Sequence, residues 1–169
     1  MAINQAMCGS YKEEITAGIH FWMSHSRTGA VTIAADTFKI AMFTSSRTDA
    51  NEDLTAYTVT NEVSGSGYSA GGAALGSVTL GLADNSSTVP TAFLDFADTT
   101  WSSSTIASAR CAMIYNSTLS TAGTAGDVTH SAYPTVCVLD FGGDKSSSSG
   151  DFTIQYPAND ANNAIIRLA

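Results

Sequence analysis

The apolar residues of this chain change their spacing near residue 37, and this change limits the folds that are open to it. In "TFKIAMF", Phe38, Ile40 and Met42 face one way and the residues between them face the other. Five later segments are similarly short, apolar and β-prone: "TAFLDF", "RCAMIYN", "TVCVLDF", "DFTIQYP" and "NAIIRLA". A period of two is typical of β-strands, so these segments predict strands.

Polar segments separate the predicted strands. They are rich in Gly, Ser, Thr, Asn and Asp, which tolerate positive φ or cap turns. The segments are "SSRTDANED", "NEVSGSGYSAGG", "ADNSSTVP", "STLSTAGTAGDVTHSAYP" and "GGDKSSSSG". About seven or eight short strands joined by polar loops predict a mainly β fold, an antiparallel β-sandwich or jelly-roll-like single domain.

Residues 3–22 follow a different pattern, with an apolar residue at about every fourth position. This spacing predicts a short N-terminal helix over part of the span, with Lys12, Glu13 and Glu14 off its apolar stripe. The stripe comprises Ile3, Met7, Tyr11, Ile15, Ile19 and Trp22. It packs either on the protein's own sheet, which we favour, or against a neighbouring chain.

The length of 169 residues fits one domain. Within it we expect residues 1–36 to form the helix and a connecting arm, and residues 37–169 to form the β-sandwich body. The four glycines of "VSGSGYSAGG" are predicted to mark turns or bulges with positive φ. They are Gly65, Gly67, Gly71 and Gly72.

Charge and hydropathy exclude several partners. The net charge is −8 with only seven Lys and Arg, so the chain lacks the cationic surface that nucleic acid or anionic lipid requires. No apolar run approaches the ~20 residues of a membrane span. The first residues also lack the basic and apolar regions of an export signal, so we expect a soluble, non-exported chain.

The cysteines and histidines show no metal-binding or redox spacing. Cys8, Cys111 and Cys137 are odd in number and widely separated, which predicts small buried apolar side chains. The histidines lack a ligand pair such as H-E-x-x-H and are predicted at the surface or an interface. They are His20, His25 and His130.

Asp140, Phe141 and Gly142 spell the tripeptide that holds magnesium in protein kinases. The remaining kinase motifs are absent from the sequence, and "GGDKS" lacks the glycine before lysine that a phosphate-binding loop needs. We therefore interpret this stretch as the end of one strand, a turn, and the start of the next.

Two similar strings, "FLDFADTTW" and "VLDFGGDKS", each place two aspartates at a predicted strand end. Asp98 and Asp144 are predicted to form turns. Asp95 and Asp140 could flank a glycosidic bond, and all four carboxylates could gather calcium. Neither alternative has a recognisable spacing, so we expect turn or rim structure and predict no catalytic, cofactor-binding or metal residue.

The order of several segments resembles a group of small virion structural proteins encoded by tailed bacteriophages. The segments are "DTFKIAMFTSS", "TAYTVTNEVSGSGYSAGG", "FLDFADTTW", "CAMIYNS", "VLDFGGDKSSSSGDFTIQYP" and "NAIIRLA", after an N-terminal "MAINQAMCGSYKEEI". The resemblance spans almost the whole chain and implies a part of the phage particle. Residues 23–36 and 119–132 are longer here than in that pattern.

Within a particle, the low charge, hydroxyl-rich surface and β-rich body favour the capsid exterior, by analogy with other β-sandwich decoration proteins. We expect a decoration (cement) protein, not an enzyme, that is made in the host bacterial cytoplasm and binds the major capsid protein as a homo-oligomer, with a trimer as the expected form. The alternative is a tail-tip or fibre domain that binds host-surface carbohydrate through exposed aromatic side chains. These are Tyr57, Tyr68, Trp101 and Tyr133. A polysaccharide depolymerase is a third class and would need the aspartates in a cleft.

Overall fold

A computed structural model describes residues 3–27, 31–83 and 90–169. This part of the chain is mainly antiparallel β-structure with one short N-terminal helix, which confirms the predicted fold class. Most of the predicted loop "ADNSSTVP" lies outside the described residues. The described elements are β1 (Ala6–Met7), α1 (Gly9–Thr16), β2 (His25–Arg27), β3 (Val31–Ile33), β4 (Phe38–Phe43), β5 (Gly65–Ser66), β6 (Ala73–Ala74), β7 (Thr79–Ala83), β8 (Thr91–Asp95), β9 (Thr99–Asn116), β10 (Gly123–Ala125), β11 (Val128–His130), β12 (Thr135–Ile154) and β13 (Ile166–Leu168).

The chain divides into two compact units. The first combines Met1–Ala74 with Trp101–Phe152, and the second combines Leu75–Thr100 with Thr153–Ala169. The separation of an arm, residues 1–36, from a body, residues 37–169, stays a prediction.

The first unit is built on a six-stranded sheet in the order β1-β12-β9-β4-β6, with β5 paired to β9. Strand β4, which lies between β9 and β6, runs antiparallel to β9, from the pair Phe38 and Asn116 to the pair Phe43 and Cys111. The side chains of the predicted core face of β4 are buried. Ala41 points to the opposite face and is buried as well, because β4 is covered on both sides. The largest fully buried apolar side chains lie on β4, β9 and β12: Ile40, Met42, Phe43, Ile106, Met113, Ile114, Val136 and Val138.

The three cysteines lie in this core as free thiols, which confirms their predicted burial. Loss of solvent raises the pKa of Cys8 to about 11 and that of Cys111 to about 12. Burial raises the pKa of Cys137 as well. All three thiols therefore stay protonated at neutral pH and act as small apolar side chains.

The N-terminal helix is shorter than the apolar stripe suggested. Helix α1 covers only eight residues, Gly9–Thr16, and the preceding Ala6 and Met7 pair with Val138 and Cys137 of β12. Strand pairing of residues 6–7 thus takes over part of the predicted helical span. Glu14 was predicted off the buried stripe but is buried, because its carboxylate has a buried hydrogen-bond partner described below.

The "GGDKSSSSG" stretch is not a turn between strands, so that prediction was wrong. It lies inside the 20-residue strand β12, which pairs with the 18-residue strand β9. Ser108 and Arg110 are two positions apart on β9, whereas their partners Ser146 and Asp140 are six positions apart on β12. The spacing of the contacts thus differs between the two strands, and Gly142, which lies between Asp140 and Ser146, has φ of 70°.

Side-chain oxygens complete the ladder between β9 and β12 where the backbone is irregular. Ser103, Ser108 and Ser149 have φ of 50°, 56° and 51°. Each donates its N–H to a side-chain oxygen on the opposite strand: Ser103 to Asp151, Ser108 to Ser146, and Ser149 to Thr105. These side-chain oxygens, including that of Ser146 in the serine tract, therefore accept hydrogen bonds that strand carbonyls accept in a regular ladder.

The other predicted loops also contain short strands. Residues 65–66 pair with β9, and the segment predicted as one long loop before Pro134 contains the β10–β11 hairpin. The prediction of positive φ in "VSGSGYSAGG" is confirmed. Gly65, Gly67, Gly71 and Gly72 have φ of 154°, 79°, 90° and 67°.

The second unit contains a three-stranded sheet in the order β13-β8-β7. Leu82 and Leu168 both pair with Ala92, so the three form one row across the sheet. Leu80 lies two residues before Leu82 on the same face. Leu80, Leu82 and Leu168 are 49%, 66% and 45% exposed and form an aliphatic cluster at the surface, whereas Leu94 and Ile166, which pair in the row of Leu80, are buried.

Among the described residues, no helix is long and apolar enough to cross a membrane.

Candidate site: a tyrosine pocket on the first unit

Asp95 and Asp140, the two aspartates that were predicted at strand ends, have different local environments. Asp140 lies within β12, where its Oδ1 pairs with the Arg110 guanidinium and accepts the N–H of Gly142 at 2.9 Å. Asp140 thus makes the kind of contact, with a backbone N–H two residues ahead, that was predicted for Asp144. Asp98 Oδ1 accepts the N–H of Tyr156 at 3.0 Å rather than one two residues ahead, so its prediction as a turn former was wrong.

Asp95 ends β8 in the second unit and is buried. Its Oδ1 accepts the N–H of Phe96 at 2.9 Å, and its Oδ2 has no hydrogen-bond partner among the described residues. Burial raises the pKa of Asp95, and the nearby charges of Asp98 and Asp160 raise it further. No group of three or more acidic, histidine or cysteine side chains in the described chain is arranged to hold a metal ion.

His20 is buried, so its prediction as a surface or interface residue was wrong. Its Nε2 lies 2.6 Å from Glu14 Oε2, and its Nδ1 lies 3.1 Å from Asn116 Nδ2. Asn116 Nδ2 also donates to Asp36 at 2.8 Å, and Asn116 Oδ1 accepts the N–H of Thr118 at 3.0 Å, which fixes the amide orientation. Nδ1 therefore accepts, and Nε2 carries the proton donated to Glu14.

This His20 cluster attaches the segment after α1 to strand β9. Both ring nitrogens of His20 have partners, and Glu14, His20 and Asn116 are all buried. A general base needs access to the proton that it removes. The cluster is therefore structural, because burying satisfied polar groups together stabilises one arrangement of the chain.

Two of the four aromatic residues predicted to be exposed are buried, so that prediction was wrong for Tyr68 and Trp101. Tyr68 is held below the surface because its hydroxyl donates to Glu62 at 2.6 Å and accepts the N–H of Met42 at 2.9 Å. Tyr57 is half-buried and Tyr133 is 36% exposed.

Tyr57 and Tyr133 lie in a pocket of about 480 Å³, a volume typical of small-ligand sites. The tyrosine pocket is defined here by six of its lining residues: Lys39, Tyr57, Val59, Gly71, Tyr115 and Tyr133. Tyr57 and Tyr115 stack with ring centroids 4.2 Å apart and an interplanar angle of 9°. Tyr133 stands at 85° to Tyr57 and 89° to Tyr115, with both centroid distances at 6.2 Å.

Glu62 holds one wall of the pocket in place. One carboxylate oxygen accepts from Tyr68 and from the N–H of Gly71, at 2.6 and 2.8 Å, and the other accepts from Tyr57 at 2.7 Å. Burial, followed by the contact with Glu62, raises the pKa of both Tyr57 and Tyr68. Both phenols therefore keep their protons at neutral pH and donate them to the carboxylate.

Tyr133 has an unusual backbone conformation for its type and position. Its φ is 50° although it precedes Pro134, and residues before proline favour extended conformations. Two backbone hydrogen bonds hold it: its N–H donates to Leu119 at 2.7 Å, and its carbonyl accepts from Tyr57 at 2.9 Å. The surrounding chain thus fixes a strained residue whose ring remains partly exposed.

Lys39 and Tyr115 were missed by sequence reasoning as site residues. They are Cα partners across β4 and β9, which places them side by side on the sheet. The alternation in "TFKIAMF" gave a signal for Lys39, because it faces away from Phe38 and Ile40. Within the described residues, Lys39 belongs to none of the observed ion pairs.

Comparison with known protein families, with curated protein sequences and with solved structures found no match. The tyrosine pocket is therefore identified from its geometry alone.

Proposed function

We propose that the protein is a structural component of a tailed-bacteriophage particle, bound to the outside of the head as a decoration (cement) protein. The resemblance of the ordered segments to small phage virion proteins supports the particle assignment. Its partner would be the major capsid protein, and it would self-associate, with a trimer as the expected oligomer.

The observation that carries an assembly role is the cluster of exposed aliphatic side chains on the second unit. Leu80, Leu82 and Leu168 lie close together on one face of the three-stranded sheet. Contiguous exposed apolar side chains mark protein–protein contact sites more often than isolated ones. A capsid subunit or a second copy would bury this face, and repetition over the lattice would multiply a modest affinity.

The proposal includes no enzymatic activity. Both candidate catalytic aspartates are engaged locally, Asp140 with Arg110 and Asp95 with the backbone of Phe96. Neither contact resembles the pairing of acid and nucleophile that glycoside hydrolysis requires.

Quantitative mass spectrometry of purified heads and tails tests the location. We expect a copy number close to that of the major capsid protein in heads. A few copies confined to tails would reject the decoration role.

A pair of variants tests the contact face. Leu82→Glu places a charge in the aliphatic cluster, so we expect at least tenfold fewer copies on heads. Thr79→Glu is the matched control, because Thr79 is exposed on the same strand and points to the opposite face. Equal occupancy of both variants would show that this face does not bind the head.

A second candidate function is supported by the tyrosine pocket. A tail-tip or fibre domain that binds host-surface carbohydrate needs exposed aromatic rings beside polar groups. Two of the four aromatics expected for that role, Tyr57 and Tyr133, lie in the pocket.

A further inference from the structure

We propose that the tyrosine pocket binds a pyranose unit of a glycan, with the sugar ring on Tyr133 and Val59 and a sugar oxygen on the Lys39 ammonium. The inference specifies the ligand of the second candidate function and rests on the pocket. It applies equally to a decoration protein that also attaches the particle to a glycan-coated surface.

The hydrogen-bonding groups of the pocket are mostly occupied. The Tyr57 hydroxyl donates to Glu62, and the Tyr115 hydroxyl donates to the carbonyl of Gly71 at 2.8 Å. The N–H of Gly71 is also used by Glu62. The Lys39 ammonium and the Tyr133 hydroxyl are therefore the side-chain groups of the pocket with donors left for a ligand, so the ligand must present acceptor oxygens.

The remaining surface of the pocket is apolar and partly open. Val59 is 64% exposed, and Tyr133 is 36% exposed and edge-on to the stacked Tyr57 and Tyr115. An entirely apolar ligand would cover these groups but would desolvate the Lys39 ammonium without a partner. The ligand therefore combines a flat apolar face with oxygens at its edge.

A pyranose ring meets both conditions, because its C–H groups form an apolar face and its hydroxyls or carboxylate project from the edge. Nucleotides and other polyphosphates fit poorly, since the pocket offers one cation and the whole chain carries a charge of −8. The expected ligand is thus a sugar ring with oxygen substituents that is either neutral or carries a single carboxylate.

The strain at Tyr133 supports a binding role for its ring. A tyrosine at φ 50° costs free energy, and this ring does not offset that cost by complete burial in the core. Strained residues concentrate at ligand-binding positions because the fold holds them there for contact with a ligand. The two hydrogen bonds of the Tyr133 backbone hold the ring in place before a ligand arrives.

The test is titration of the full chain with methyl glycosides of glucose, galactose, N-acetylglucosamine and glucuronate, followed by NMR. We expect at least one glycoside to bind with a Kd on the order of 1 mM, typical of a single small-ligand contact. The shifted backbone signals should include Lys39 and Gly71. Binding of the glucuronate alone would assign the Lys39 contact to a carboxylate, and binding of neutral glycosides would assign it to a hydroxyl.

Variants separate ligand contact from folding. Tyr133→Gly removes the ring and relaxes the backbone, so binding should fall at least tenfold in a folded protein, whereas Tyr133→Phe should bind normally. Lys39→Met should also weaken binding at least tenfold, and Lys145→Met is the matched control at an exposed lysine elsewhere.

The proposal is overturned if none of these glycosides shifts the pocket signals. It is also overturned if Tyr133→Gly and Lys39→Met bind as well as the parent. The copy number in heads tests the decoration function separately, so failure of one proposal leaves the other standing.

Discussion

Two glycine- and serine-rich stretches of the first unit look alike in sequence and differ in structure. In residues 65–72, a Cβ added to Gly72 would lie 1.8 Å from the Ile40 carbonyl oxygen, and one added to Gly65 would lie 1.9 Å from that of Thr105. In residues 142–150, a Cβ on Gly142 or Gly143 would meet nothing within 4 Å. The first stretch needs glycine for close packing, whereas the second needs hydroxyls to complete a ladder.

The largest expected effect is that of Gly72→Ala. The new methyl group would overlap the backbone of β4, and φ at this position is 67°, so both steric and conformational terms oppose it. We expect a loss of about 3 kcal/mol or more in the free energy of unfolding, measured by urea denaturation.

Gly143→Ala in the second stretch is the matched control and should cost less than about 0.5 kcal/mol, because its Cβ has open space. Equal losses in both variants would contradict the distinction between the two stretches.

A smaller effect is expected when the carboxylate beside the first stretch is removed. Glu62→Ala leaves the hydroxyls of Tyr57 and Tyr68 and the N–H of Gly71 without their acceptor. Since Glu62 is only half-buried, water replaces part of the loss, and we expect about 2 kcal/mol of destabilisation. Near-ultraviolet circular dichroism should also change as the tyrosines move.

Glu52→Ala is the control for this change, because Glu52 is an exposed glutamate of the same unit. A Glu62→Ala protein as stable as this control would show that the carboxylate does not anchor the stretch.

The smallest effect belongs to the hydroxyl ladder of the second stretch. Ser147 Oγ accepts the N–H of Ile106 at 3.2 Å and lies 2.8 Å from Ser104 Oγ. Ser147→Ala should therefore cost about 1 kcal/mol and raise the hydrogen-exchange rate of the Ile106 amide. Ser148→Ala, which removes the neighbouring exposed hydroxyl, should leave that amide protected, and identical exchange in the two variants would argue against the ladder.

The "FLDF" and "VLDF" strings show why local pattern alone misplaced the candidate carboxylates. Both strings predict a strand ending in aspartate, and "FLDF" does end β8 at Asp95. In "VLDF", the chain continues through Asp140 in β12, because β9 runs alongside and Arg110 provides a partner. The partner strand is distant in sequence, so the residues around Asp140 carry no signal for it.

The sequence by itself determined the mainly β fold, the buried cysteines and the positive φ of the glycines near Tyr68, because alternation, side-chain polarity and φ preference are properties of neighbouring residues. It also identified Tyr57 and Tyr133 as aromatic side chains that could bind carbohydrate. Only the tertiary structure decided that Lys39 and Tyr115 join these two in one pocket. The register between β4 and β9 places Lys39 beside Tyr115. This register depends on the pairing of segments about 75 residues apart, which local periodicity does not encode.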